Sequence, residues 1–131
     1  MNIERFRQRI VDFQTAVFRL GEACDQEENS FIRDSVIQRF EFSYELCWKM
    51  LKMKLEAEGI DARSPRETVV EALSMGLISD GNAWTELHRM RNLTSHTYDE
   101  ALAREVYDFV RDTGLSLLKS LSETTAAWLQ D

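Results

Sequence analysis

Apolar residues recur along this chain at helical spacing and nowhere with the strict alternation of a strand. The first stripe is Phe6, Ile10, Phe13, Val17 and Leu20, separated by 4, 3, 4 and 3 positions, with Arg5, Arg7, Arg9, Asp12 and Arg19 lying off it. That spacing predicts a helix ended by Gly21 and the polar stretch DQEENS. A second stripe, Val36, Phe40, Tyr44 or Ser43, Cys47 and Leu51, runs towards Glu58 from a predicted cap at Ser30. It is widened by Phe42, Leu46, Trp48, Met50 and Met53. A helix apolar over more than one face is central, or packs a second chain with the surface left over. Gly59 stops it.

SPRE, Ser64 to Glu67, carries the strongest local signal: serine at N-cap, proline at N1 and glutamate at N3 form a capping box. A short helix through Val69, Val70, Ala72 and Leu73 follows and closes at Gly76. Asp80 or Asn82 caps the next helix, with Trp84, Leu87 and Met90 turned inward. A second predicted capping box, Thr97 with Glu100, opens the last helix. That helix holds Leu102, Val106, Phe109, Val110, Leu117 and Leu121 and is interrupted only by Gly114. With no strand pattern, repeat or linker, the expected fold is all-α. It is an antiparallel up-and-down bundle of four main helices plus one short one, forming a single domain over residues 1–131.

Composition narrows the function. The 131 residues hold 16 Lys and Arg against 23 Asp and Glu, a formal net charge of −7. Binding along a DNA duplex draws its affinity from clustered cations that neutralise phosphates, and no such run exists. Contact with RNA or a nucleotide is therefore confined to a small cationic spot. The only cysteines, Cys24 and Cys47, have no CxxC spacing and are expected to be reduced and partly buried. With His88 and His96 they lack metal-ligand spacing, so no metal or cofactor is expected. The N-terminus MNIERFRQRI has no signal-peptide core, and no stretch reaches the ~18 apolar residues of a membrane span, so a cytoplasmic protein is expected.

The candidate chemistry lies in RNLTSHTYDE, Arg91 to Glu100, at the junction of two predicted helices. Caps and turns favour Asn, Thr, Ser and Asp, which accounts for Thr97 and Asp99 without any site. Arg91 and His96 ask for more. A guanidinium clamps phosphate oxygens, and an imidazole transfers protons near neutral pH. On an unbroken helix the two would point ~140° apart, so the helix must unwind between them or the residues must meet their copies across a symmetric dimer. Asn92 shares a face with His96, and Tyr98 adds a phenolic oxygen. His88, one turn before Asn92, is expected to be an exposed helix histidine. Tyr44, Phe40 and Trp48 are expected in the core or an interface, and Glu41 and Glu45 offer no paired-acid chemistry.

The segment Arg91-Asn92-Leu93-Thr94-Ser95-His96-Thr97-Tyr98 resembles the Arg–polar–three residues–His–x–Tyr signature of HEPN domains. With FEFSYELCWKMLKMKL and SPRETVVEALSMGLI before it, the chain from about Phe6 to Val110 is similar to the nucleotidyltransferase substrate-binding protein branch of that superfamily, related to the HepT toxins. The resemblance implies a helical homodimer paired with a minimal nucleotidyltransferase encoded nearby in a toxin–antitoxin system. Where active, such proteins are metal-independent ribonucleases. Carried over by position, Arg91 would hold phosphate, His96 would be the acid/base, Asn92 would orient them, and Tyr98 would accept AMP from the partner, silencing the nuclease. A non-catalytic subunit that presents a substrate or nucleotide to the nucleotidyltransferase is the alternative.

Overall fold

The computed structural model describes residues 1–130, which form five helical rods, one of them in two parts. Among the described residues there is no strand. Helix α1 (Ile3–Cys24) and helix α2 (Ser30–Ala57) pack antiparallel as a hairpin, the most extensive pairing in the fold. A short α3 (Pro65–Ser74) lies on α2, and α4 (Gly81–Leu93) follows. After a 3-10 turn (Thr94–His96) come α5 (Glu100–Phe109), a π-helical turn (Val110–Gly114) and α6 (Leu115–Trp128) in one continuous rod. Its first half rests on α2 and its second on α1.

Along α1, α2 and α4 the core is the predicted one; on the last rod Val106, Val110 and Leu121 are buried as predicted, whereas Leu102, Phe109 and Leu117 are half-buried and Leu118 is the leucine fully inside. Phe6, Ile10, Phe13, Val17 and Leu20 are all buried, as are Val36, Phe40, Tyr44, Cys47 and Leu51 from α2 and Trp84, Leu87 and Met90 from α4. Ser43 is buried beside Tyr44, so both alternatives for that position of the stripe face inward. Of the apolar positions predicted on α3, Val69 and Ala72 are buried, while Val70 faces solvent. Trp128 packs back on the bundle, its ring stacked 6.3 Å from Phe6, with the Lys54 ammonium 5.2 Å from its centroid. Cys24 and Cys47 are free thiols, the second fully buried. Among the described residues no helix is long and apolar enough to cross a membrane.

Several helix ends differ from expectation by one to three positions. Helix α1 runs through Gly21 to Cys24. There Gly21 is buried, a Cβ at its position meeting Lys119 at 3.5 Å. The cap of α2 is Asn29, whose side chain accepts from the Ile32 amide at 2.8 Å, and Ser30 is already the first helical residue. Ser64 does cap α3, accepting from the Glu67 amide at 3.1 Å. Glu67 reaches back to the Arg63 amide, one residue before the cap. Asp80, at φ 69°, caps α4. Asp99 caps α5, its carboxylate accepting from the amides of Ala101 and Leu102 at 2.9 and 3.1 Å. Thr97 instead donates its hydroxyl to the Thr94 carbonyl within the 3-10 turn. Any of these short polar side chains can cap, and the backbone angle at each position selects among them.

Gly114 does not break the last helix; it closes the π-helical turn. A Cβ there would meet Leu87 Cδ1 and Phe109 Cε2, each at 3.2 Å, so glycine lets this rod lie close to α4.

Removing the cap of α5 separates the two candidates for that role. Asp99→Ala is expected to lower unfolding free energy by about 1 kcal/mol, while Thr97→Ala stays within about 0.5 kcal/mol of wild type. Urea titrations of both variants read this directly; equal losses would show that Thr97 shares the cap.

Candidate functional site

The polar decapeptide begins in the last turn of α4. Met90 and Leu87 anchor that turn in the core, which leaves Arg91 half-buried at the edge and Asn92 exposed. After Leu93 the helix tightens into the 3-10 turn, and His96 and Tyr98 stand out in solvent, Tyr98 at 88% exposure. Their rings lie edge to face, 6.4 Å apart. Between Arg91 and His96 the helix therefore does not unwind as expected but passes from α to 3-10 winding. Among the described residues no hydrogen bond or ion pair links Arg91 to His96 or to Tyr98. Within one chain these groups form two adjoining parts: a fixed part on α4 and a projecting part on the turn.

The fixed part is held from α2. Arg91 pairs through Nη2 with the Glu45 carboxylate, which also accepts from the Trp48 indole N–H at 3.0 Å. Burial pushes the Glu45 carboxyl up, but the Trp48 N–H and the Arg91 guanidinium outweigh it and hold the group below its ordinary value. Arg91 Nη1 also lies 3.5 Å from Asn92 Oδ1, and Thr94 donates its hydroxyl to the Arg91 carbonyl at 2.7 Å.

One turn earlier, His88 is not the exposed helix histidine expected from sequence. It is half-buried, its Nδ1 lies 2.7 Å from the Tyr44 hydroxyl, and Asn92 Nδ2 lies 3.4 Å from its Nε2. With Asn92 donating to Nε2, the proton sits on Nδ1 and goes to Tyr44, which makes a neutral imidazole the form that fits. The electrostatics agree. Burial first, then the cationic Arg91 and Arg66, lower the His88 pKa from its ordinary 6.5. Tyr44 is displaced upward, mainly by burial and then by Cys47.

Sequence reasoning singled out Arg91, Asn92, His96 and Tyr98 as candidates but missed Glu45, Tyr44 and His88, which support Arg91 and Asn92. Glu45 carried a weak signal, an acidic residue three positions before Trp48 on one helix face. The pairing of Glu45 with Arg91 spans 46 positions of sequence, and no local pattern encodes it. Among the described residues no group of three or more His, Cys, Asp or Glu could hold a metal ion.

Comparison with known proteins sets this site in context. A family model described as nucleotidyltransferase substrate binding protein like matches residues 8–126. Over 92 residues, 63% of each chain, the sequence is 40% identical to the probable ribonuclease HepT of Haemophilus influenzae. A crystal structure of a protein from Thermus thermophilus superimposes with a TM-score of 0.74 at 32% identity, covering 91% of this chain and 99% of that one. A second structure, from H. influenzae and described as revealing the fold of a substrate binding domain of a nucleotidyltransferase, gives 0.65 at 31% identity over 93% and 97% of the two chains.

His88 is expected to titrate below 6.5 by NMR. Its neutral form belongs to the folded state, so the stability it contributes is present above the free histidine range and is lost as pH falls through the depressed value. Glu45, also lowered, loses its contribution further into acid. Both groups destabilise the fold on acidification. Arg91→Ala should move the His88 midpoint upward; an unchanged midpoint would show that Arg91 does not act on this ring.

Proposed function

The chain belongs to the nucleotidyltransferase substrate binding protein like family, and on that premise we propose that it is the HEPN-type subunit of a two-component system with a minimal nucleotidyltransferase. In this reading the junction after α4 is a metal-independent endoribonuclease site. The observation that carries it is the change from α-helix to 3-10 turn after Leu93, which leaves Arg91 fixed at the end of α4 and projects His96 and Tyr98 into solvent. The relative described as a probable ribonuclease supports the same chemistry.

The reaction is transphosphorylation. The RNA 2′-oxygen attacks the adjacent phosphorus, the bond to the 5′-oxygen breaks, and the products are a 2′,3′-cyclic phosphate and a 5′-hydroxyl. His96 accepts the proton of the 2′-hydroxyl or returns one to the leaving oxygen, work worth about 10²–10⁴-fold for a well-placed group. Arg91 offsets charge on the non-bridging oxygens, and Asn92 keeps the guanidinium turned to the phosphate. A homodimer sets two such junctions face to face, so that His96 of one copy serves the phosphate held by either Arg91. Tyr98, with its hydroxyl in solvent, is the acceptor of AMP: its oxygen attacks the α-phosphorus of ATP, pyrophosphate leaves, and the bulky adduct blocks the junction.

A second reading is favoured by the Glu45–Arg91 pair, which already neutralises the guanidinium, and by the neighbour described as a substrate binding domain. Here the protein holds a nucleotide for the partner and cuts nothing.

RNA cleavage separates the two. Protein freed of AMP is expected to cut RNA with chelator present and leave cyclic phosphate ends, and His96→Ala should lower the rate by about 10²-fold or more. Wild type and His96→Ala equally inert on every RNA tried would leave only the second reading. The intact mass after co-expression with the partner tests the modification: a gain of AMP is expected, absent in Tyr98→Phe.

A further inference from the structure

Cations that could hold a phosphodiester backbone are not confined to the decapeptide. Between the N-terminal half of α1 and the C-terminal half of α2 lies a groove of about 330 Å³ whose lining includes Arg5, Arg9, Trp48, Lys49, Lys52 and Met53. Four of these are cations, in a molecule whose formal net charge is −7. Lys52 is committed to the structure: it pairs at 3.0 Å with Glu56, the one carboxylate in the lining, and donates to the Ala62 carbonyl at 2.6 Å. Arg5, Arg9 and Lys49 form no ion pair with any of the described residues. Elsewhere Arg33, Arg63, Arg89, Arg104 and Arg111 each pair with a carboxylate; Arg7, Arg19, Arg39, Lys54, Arg66 and Lys119 have no such pair among the described residues either, so what distinguishes Arg5, Arg9 and Lys49 is that they gather at a single groove.

The groove is also physically continuous with the junction. Trp48 lines it and donates its indole N–H to Glu45, the carboxylate that grips Arg91. Glu45, Trp48, Lys49, Lys52, Met53 and Glu56 are spaced 3, 1, 3, 1 and 3 apart, which is one face of α2. From Glu45 to Glu56 that face is about 16 Å long at 1.5 Å per residue. Unpaired cations beside a half-exposed indole are what a single strand requires: guanidinium and ammonium groups for phosphates, an aromatic face for a base.

We propose that this α1–α2 groove binds single-stranded RNA, with Arg5, Arg9 and Lys49 on successive phosphates and a base against Trp48, and that the bound strand leads along α2 to Arg91. The direction of the strand rests on the ribonuclease reading; binding in the groove does not, and can be measured without cleavage.

The test uses the full-length protein and a fluorescently labelled 2′-O-methyl RNA oligonucleotide. This probe carries phosphates and bases but no 2′-hydroxyl to attack. Wild type is expected to bind with an affinity that falls steeply with salt. Arg5→Gln/Arg9→Gln/Lys49→Gln should bind about tenfold or more weakly, with the slope of log K against log salt shallower by about 2, near 0.7 per lost contact on a single strand. A control triple, Arg19→Gln/Arg111→Gln/Lys119→Gln, removes equal charge at the opposite end of α1 and should bind as wild type. All three groove positions are at the surface, and matching thermal melts verify that the variants fold.

Absence of binding by wild type, or equal weakening by both triples, overturns the proposal. If RNA is cut yet the groove triple binds the probe as wild type does, the groove falls and the ribonuclease stands. If the groove triple alone loses binding while no RNA is ever cut, the groove stands and the ribonuclease reading falls.

Discussion

The Glu45 carboxylate sits where the arrangement of this molecule is decided. Helix α2 carries apolar surface on more than one face, and Tyr44 and Cys47 beside Glu45 are fully inside. A carboxylate at the margin of such a core must be paired, because leaving it half-desolvated and alone costs more than the pair itself contributes. It takes one hydrogen from Trp48 on its own helix and grips Arg91 on another. Its neighbour Tyr44 meets His88 one turn earlier on α4. Two adjacent residues of α2 thus hold two successive turns of α4, and the rod stays fixed up to the point where it gives way to the 3-10 turn. The candidate site begins where this anchoring stops.

That division explains the shape of the site. Arg91 and Asn92 inherit their orientation from half-buried partners, whereas His96 and Tyr98 ride on a three-residue 3-10 turn whose bonds are local. A fixed cation beside a projecting imidazole and phenol suits a junction completed by a second body, whether an RNA strand, a second copy or the nucleotidyltransferase. In the isolated chain, Arg91 satisfies itself on Glu45. A phosphate approaching Arg91 must therefore share the guanidinium with that carboxylate. Arg can do so because its donors fan out in a plane, one edge to each partner, which a lysine could not offer.

Much of this was readable from the chain because the signals are local. The Phe6-to-Leu20 stripe, the Ser64 cap and the stops at Gly59 and Gly76 each depend on residues within one or two turns, and each was found where expected. Caps were harder: Asn29 against Ser30 and Asp99 against Thr97 are choices between side chains of equal competence, settled by backbone angles that propensity does not carry. Gly114 was legible as an interruption but not as a π-helical turn, since the reason lies in Leu87, 27 positions away. The motif from Arg91 to Tyr98 stood out for the same local reason. Its supports did not, because hydrophobic periodicity says which face is buried but not which polar residue on that face meets which.

Net charge shows the same blindness to space. A total of −7 argues against a broad phosphate-binding surface of the kind an extended duplex requires. Yet the sum averages over a molecule in which three unpaired cations gather along one groove. Beyond a Debye length of about 8 Å at physiological salt, the acid carried elsewhere is largely screened, so a strand already in the groove feels Arg5, Arg9 and Lys49 and little of the rest. The acidic remainder still acts on approach, turning an anionic ligand away from other faces. An overall negative charge with a local positive track is therefore a means of selecting one short stretch of a single strand, and helix α2, through Glu45 at one end of a face and Lys49 and Lys52 further along it, is the element that joins the track to the site.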